Sequence, residues 1–232
     1  MVREDDLRGC SFEQFVRSAF DHPCPAEERG PNWWHTEPVD EVNLLTDAPR
    51  QLEHARTLFL DPLVLQTRFG LSVEQIDQGF WFLAIGDYAP DYQPFFSAPL
   101  WSEDVDLDLR RSCVAAMFDL YEKLFSSVRA DSASSMWWDL LGTFTIEQRN
   151  NLPTLRPHPI PAQESVRREM VETLARILGL PAPHCQVAAL HGLNHIATAE
   201  EREPLIDRYL ASAAIDATLR EYAHACCSGE LP

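Results

Sequence analysis

The chain has 232 residues, of which 45% are hydrophobic and 24% are charged, an ordinary composition for a folded globular protein. Its formal net charge of -17 would repel the phosphate backbone of a nucleic acid and an anionic membrane surface, so neither is expected as a partner. The acidic N-terminal segment has no apolar core and no window approaches the roughly 20 apolar residues of a membrane span, so we expect a cytoplasmic protein.

Apolar residues recur with the helical period along most of the chain, and no run alternates as a strand would, which predicts an all-α fold. In the first part, residues 1–151, Asp47 with Pro49 marks one helix start, and Ser72 with Gln75 forms a capping box at another. Helices are predicted over 11–20, 47–60, 73–85, 110–125 and 134–141. The last one carries Trp137 and Trp138, which are large enough to anchor a junction between helices.

A proline-rich connection, residues 152–161, separates this irregular, aromatic-rich part from a C-terminal part, residues 162–232. Each proline fixes its own backbone and restricts the residue before it, so the connection should be extended. Helices are predicted beyond it over 164–178, 185–196 and 215–226. With only about 70 residues beyond the connection, we expect both parts to pack as a single helical body over 1–232.

Around residues 183–211 the chain contains AALHGLNHI and, after a short break, REPLIDRYLAS. The first resembles the inner helix of a HEAT-type repeat, and the second resembles the first helix of the following repeat. This resemblance covers about the last 70 residues and implies antiparallel helical hairpins packed as an irregular HEAT-like α-solenoid or bundle, a fold that mostly serves as a binding scaffold. The fragments FDHPCP, IDQGFWFL and SMWWDLL also resemble segments of a bacterial protein family, a resemblance that carries no activity with it.

Three histidines form a stripe on the helix predicted over 185–196. The offsets of seven and four residues between His184, His191 and His195 bring them to nearly the same side of an α-helix. This side is opposite the apolar arc that contains Leu190 and Leu193, so we expect the stripe to face solvent, on the concave surface of a HEAT-like fold. We therefore predict His184, His191 and His195 as binding residues.

The simplest interpretation of the stripe is structural: the histidines hydrogen-bond to a neighbouring helix, and Ala188 and Gly192 beside them allow close approach. A metal site is an alternative, because histidines at positions i and i+4 can share a zinc or copper ion. The third ligand would have to come from His224 or from a carboxylate elsewhere. The sequence HGLNH lacks the glutamate that supplies the general base in the HExxH motif, so no hydrolytic chemistry comes with the pair. Histidine catalysis without a metal is a further alternative, for which the sequence identifies no partner carboxylate or nucleophile.

Other segments favour structural roles over chemistry. His22 and Cys24, with the Trp-Trp-His run at 33–35, form either a metal site or, as we prefer, a loop whose tryptophans fill the core. The carboxylates between 103 and 108 lack the glycine and final glutamate of a calcium loop and are typical of a helix entry. Neither a glycine-rich phosphate loop nor a GxSxG motif occurs, which argues against nucleotide binding and serine hydrolysis.

The lack of a catalytic motif favours a non-enzymatic protein-interaction module, with an immunity-type or regulatory role compatible with the small size. Its partner would be a protein, and a basic one would suit the negative charge; no cofactor and no definite metal ligand set is predicted. The alternative is a metal-dependent enzyme or metal-binding protein that uses the histidine stripe. The alternative requires a carboxylate or third ligand to converge on a pocket, whereas an interaction module requires a broad and shallow face.

Replacing Leu190 or Leu193 with alanine should lower the free energy of unfolding by about 2–5 kcal/mol, because a buried leucine side chain would be lost. His191→Ala and His195→Ala should cost far less if their side of the helix faces solvent. Thermal melts of the four variants would measure this difference, and histidine variants as damaging as the leucine variants would contradict a solvent-facing stripe.

Overall fold

A computed structural model describes residues 2–24, 41–85, 96–128, 130, 132–141, 161–211 and 215–228. These residues are predominantly helical, which confirms the predicted all-α class. The helices are α1 (Phe12–Phe20), α2 (Ala48–Leu60), α3 (Val64–Thr67), α4 (Val73–Ile85), α5 (Ser97–Trp101), α6 (Leu107–Leu120), α7 (132–141), α8 (Pro161–Ile177), α9 (Pro183–Ile196), α10 (Ala199–Leu210) and α11 (Ala217–Ser228). None of the helices in these ranges combines the length and the apolar character needed to cross a membrane.

A short parallel β-ladder accompanies the helices. Strand β1 (Val2–Asp6) pairs with β2 (Glu41–Leu45), with Val2 opposite Glu41 and Asp6 opposite Leu45. Hydrophobic periodicity does not predict this pairing, because VREDD has no alternation of apolar and polar residues and EVNLL alternates over only its first four residues.

The predicted helix starts are present as hydrogen-bonded caps. The side chain of Asp47 accepts from the backbone N–H of Arg50 at 3.1 Å, and Ser72 and Gln75 form the reciprocal bonds of a capping box. The side chain of Asp106 accepts from the N–H of Leu109 at 3.0 Å, so the acidic segment at 103–108 is a helix entry, as predicted. The helix predicted over 110–125 differs in detail, because α6 changes to a π-helical turn over Tyr121–Phe125.

Trp137 of α7 lies at the centre of the aromatic core of the N-terminal part. Its ring centroid is 5.9 Å from that of Phe59 on α2, 5.7 Å from that of Phe80 on α4 and 5.6 Å from that of Phe96, and all four side chains are fully buried. The prediction that this tryptophan anchors a junction between helices is therefore confirmed.

The C-terminal helices pack on this core in sequence. Helix α8 contacts α6 and α9, α9 contacts α11, and α10 contacts α11. The α8–α9 and α10–α11 contacts join helices that follow one another in the chain, as helical hairpins require, while the HEAT-like solenoid itself stays a prediction. Buried residues from Leu7 to Cys226 belong to the same hydrophobic cluster, so helices on both sides of residues 142–160 share a core. Of the proline-rich connection, only Pro161, the first residue of α8, lies within the described residues.

A buried guanidinium links three of these helices. The side chain of Arg167 on α8 is 10% exposed and donates to Glu164 at 2.7 Å and to Glu201 on α10 at 2.7 Å. It also donates to the carbonyl oxygen of Ile196, the last residue of α9, at 3.1 Å. The hydrogen bonds that it donates are the main reason why the pKa of Glu201 falls from 4.5 to about 2. A charge with this many partners can be withdrawn from water without a large net cost.

Arg167→Leu should lower the free energy of unfolding by about 3 kcal/mol, because it leaves two carboxylates without their shared cation. Since the pKa of Glu201 falls from 4.5 to about 2 on folding, its contribution is complete above pH 4.5 and is lost as the pH falls toward 2. Urea unfolding at several pH values should therefore show the gap between wild type and variant narrowing in acid.

Arg168→Leu is the matched control for this prediction. Arg168 pairs only with Glu164 among the described residues, and its side chain is 68% exposed, so its loss should cost less than about 0.5 kcal/mol. Equal effects of the two substitutions, or a gap independent of pH, would contradict a structural role for the buried guanidinium.

Candidate metal centre

Helices α7 and α9 approach each other closely at Gly192. A Cβ atom added to Gly192 would lie 2.7 Å from the Cβ of Trp138 and 2.7 Å from a methyl carbon of Leu174 on α8, closer than real Cβ contacts come. The indole of Trp138 is fully buried and stacks on the ring of Tyr121, with centroids 6.1 Å apart. The absence of a side chain at Gly192 thus allows this packing, and the packing brings the residue after Trp138 to α9.

That residue, Asp139, forms a cluster with His191 and His195. The Nδ1 atom of His195 is 3.4 Å from a carboxylate oxygen of Asp139, and the two imidazole centroids are 4.6 Å apart. One ligand atom from each of the three residues lies within 4.8 Å of those from the other two. The four-residue spacing of the histidines on α9 places their rings next to each other on one side of that helix, tilted by 60°.

The two imidazoles are largely enclosed. The Nε2 atoms of His191 and His195 are inaccessible to solvent and have no hydrogen-bond partner among the described residues. The Nδ1 atom of His191 lies 3.3 Å from the hydroxyl oxygen of Tyr222 on α11. Asp139 and His195 are 23% and 24% exposed, so the cluster also has a side that water can reach.

The electrostatics of the cluster favour neutral imidazole at His191. Burial lowers the pKa of His191 below its ordinary value and His195 lowers it further, while the carboxylate of Asp139 acts in the opposite direction. A neutral imidazole is the form that binds metal ions, because protonation occupies the lone pair used as the ligand.

The structure brings together two of the three predicted binding histidines. The Nε2 atom of His184 is 2.6 Å from the carbonyl oxygen of Phe125, so this side chain binds the π-helical turn after α6 and lies outside the cluster. His191 and His195 are partly buried against α7 and α11, which corrects the expectation that their side of the helix faces open solvent. His224, suggested as a third ligand, is exposed and is not a member of the cluster; the third member is Asp139, a carboxylate.

His22, from the other metal site considered in the sequence analysis, makes a local structural contact. The Nε2 atom of His22 is 2.9 Å from the carbonyl oxygen of Ser18, one turn earlier on α1. Residues 33–35, which completed that candidate, lie outside the described residues.

Sequence reasoning missed Asp139 and Tyr222. Asp139 directly follows two buried tryptophans, and this position could have singled it out as an acidic residue close to the core. Nothing in the local sequence indicates that it faces α9. Tyr222 belongs to the apolar stripe of α11 together with Leu219 and Ala223, and its ring packs against the core as that pattern predicts. Only its hydroxyl reaches the cluster, and a pattern of apolar residues does not report on a hydroxyl.

Two imidazoles and one carboxylate form a ligand set suited to a first-row divalent transition metal. Ligand atoms about 2.1 Å from a tetrahedral ion lie about 3.4 Å from one another. The separation of His195 and Asp139 already has this value, at 3.4 Å, and the ligand atom of His191 lies within 4.8 Å of both.

Comparison of the chain with protein-family models, curated proteins and solved structures found no match.

Gly192→Ala should disturb the cluster without altering any of its members. The added methyl group would force Trp138 and Leu174 away from α9, at a cost of about 1–3 kcal/mol for an overpacked core. Urea unfolding would measure the loss, and the fluorescence of the buried tryptophans would report the displacement. A variant with wild-type stability and fluorescence would show that the approach of α7 to α9 does not depend on this glycine.

Proposed function

We propose that this protein binds a first-row divalent transition metal, such as Zn²⁺ or Fe²⁺, through Asp139, His191 and His195. The observation that carries the proposal is the convergence of a carboxylate from α7 on a histidine pair from α9, with ligand atoms within 4.8 Å. Two histidines and one carboxylate leave coordination positions for water or a small ligand. This arrangement suits metal-assisted chemistry as well as simple metal binding.

An unpartnered nitrogen supports the same function. Enclosing a ring nitrogen without a hydrogen-bond partner costs about 1–3 kcal/mol, so such an atom is unfavourable without a ligand. The Nε2 atom of His191 is enclosed in this way among the described residues. A metal ion coordinated by this nitrogen, by Nδ1 of His195 and by the carboxylate of Asp139 would offset the cost.

The partial exposure of the cluster gives a metal ion access to it. Because Asp139 and His195 are each about one-quarter exposed, an ion could enter from that side and retain a water molecule. The strongly negative net charge of -17 would attract cations to the surface in general, so an experiment must separate the cluster from weak surface binding.

Metal content is the direct test of this function. Protein purified without a histidine tag or chelator should carry about one transition-metal ion per chain, and apo protein should bind added Zn²⁺ with the same stoichiometry by calorimetry. Asp139→Asn, His191→Ala and His195→Ala should each abolish or greatly weaken binding, because three ligands are the minimum for a protein site of this kind.

His184→Ala and His224→Ala are the matched controls. His184 contacts a backbone carbonyl and His224 is exposed, so removing either imidazole should leave Zn²⁺ binding unchanged. Circular dichroism would verify that each variant is folded. Equal metal content in wild type and in the His191 and His195 variants would refute the proposed function.

The alternative function is the protein-interaction module that the sequence favours, and one observation supports it. An open groove of about 400 Å³ lies between the α8–α9 connection and α10, with apolar walls that include Leu178, Leu180 and Leu205. Arg208 and Tyr209 also line it. A protein partner that cross-links to wild type but not to Leu205→Glu, in a chain that binds no metal, would favour this alternative.

A further inference from the structure

Tyr222 places a hydroxyl against the side of His191 that faces away from the unpartnered Nε2 atom. The oxygen of Tyr222 is 3.3 Å from Nδ1 of His191, a contact in which either group can donate, depending on the tautomer of the imidazole. If Nδ1 is occupied by this hydrogen bond, Nε2 is the atom left to bind a ligand. Nε2 is also the enclosed atom that lacks a partner among the described residues.

Metal-binding histidines almost always donate their second ring N–H to an oxygen acceptor, which sets the tautomer and the orientation of the ring. A tyrosine hydroxyl oxygen can accept such a bond. A tyrosine hydroxyl, whose ordinary pKa is about 10, is protonated and neutral near neutral pH.

The position of this hydroxyl is fixed by a neighbouring contact between the same two helices. The thiol of Cys226, one turn after Tyr222 on α11, donates to the carbonyl oxygen of Leu190 at 2.9 Å. Leu190 immediately precedes His191, so this bond sets the register of α11 against α9 at the histidine. Tyr222 therefore meets His191 as a consequence of helix packing.

Building on the proposed metal function, we infer that Tyr222 is a positioning residue: its hydroxyl accepts the Nδ1–H of His191 and thereby presents Nε2 of His191 to the metal ion. In this way α11 controls the tautomer of one metal ligand through a single hydrogen bond. It also links metal binding to the packing of α11 on α9.

The test is Zn²⁺ affinity of the full chain by calorimetry, with Tyr222→Phe compared with wild type. The phenylalanine ring preserves the packing of α11 and removes only the hydroxyl. Affinity for Zn²⁺ should fall about 10-fold or more, the usual consequence of removing the hydrogen-bond partner of a metal ligand. The thermal midpoint of the apo protein should change little.

Tyr209→Phe is the matched control. Its hydroxyl donates to the side chain of Gln186 at 2.8 Å, so the substitution also removes one tyrosine hydrogen bond to α9 but none to the cluster. Zn²⁺ affinity in this variant should equal that of wild type. Equal affinity of Tyr222→Phe and wild type would overturn the inference.

Nuclear magnetic resonance supplies a readout that packing alone would not move. Long-range ¹H–¹⁵N spectra of the Zn²⁺-loaded protein should show His191 protonated at Nδ1 and coordinated through Nε2. Coordination through Nδ1 would overturn the inference even if Tyr222→Phe weakened binding. Wild-type protein that bound no Zn²⁺ would refute the proposed function and this inference together, whereas the results above refute the inference alone.

Discussion

The contact between Trp138 and Gly192 is the constraint on which the candidate site depends. A tryptophan on α7 can lie against α9 only where α9 has no side chain, and Gly192 supplies that position one residue after His191. The contact thereby joins two otherwise separate features, the aromatic core around Trp137 and the histidine pair on α9. Asp139 reaches the histidines because it follows the tryptophan that makes the contact.

The segment of α9 that carries the histidines is held at both ends. The carbonyl oxygen of Leu190 accepts from the thiol of Cys226 at 2.9 Å, and that of Ile196 accepts from the guanidinium of Arg167 at 3.1 Å. His191 and His195 lie between these two bonds. A pair of side chains held in this way has little freedom to rearrange, which is the condition for a binding site with a defined geometry.

Burial of the histidines carries a cost that the rest of the fold must offset. The Nε2 atoms of the two rings lack partners among the described residues, as do Nε1 of Trp138 and Oγ1 of Thr173, whereas the guanidinium of Arg167 is fully paired. Each unsatisfied group of this kind requires an explanation, and a ligand that completes what the protein leaves open is one explanation. At the two imidazoles a carboxylate lies close by, so a bound cation is the explanation that we propose there.

The local sequence pattern was sufficient to predict the helices and where they start, because helical periodicity and side-chain caps involve residues three or four positions apart. The sequence by itself thus determined the all-α class, the caps at Asp47 and Ser72, and the alignment of His191 with His195. It did not determine the β1–β2 ladder, because the pairing joins segments far apart in the chain and only β2 shows a short alternating pattern. The convergence of Asp139, Tyr222 and the histidine pair was decided by tertiary structure alone. It depends on the distance between three helices, and that distance is set by long-range packing at Gly192 and Cys226.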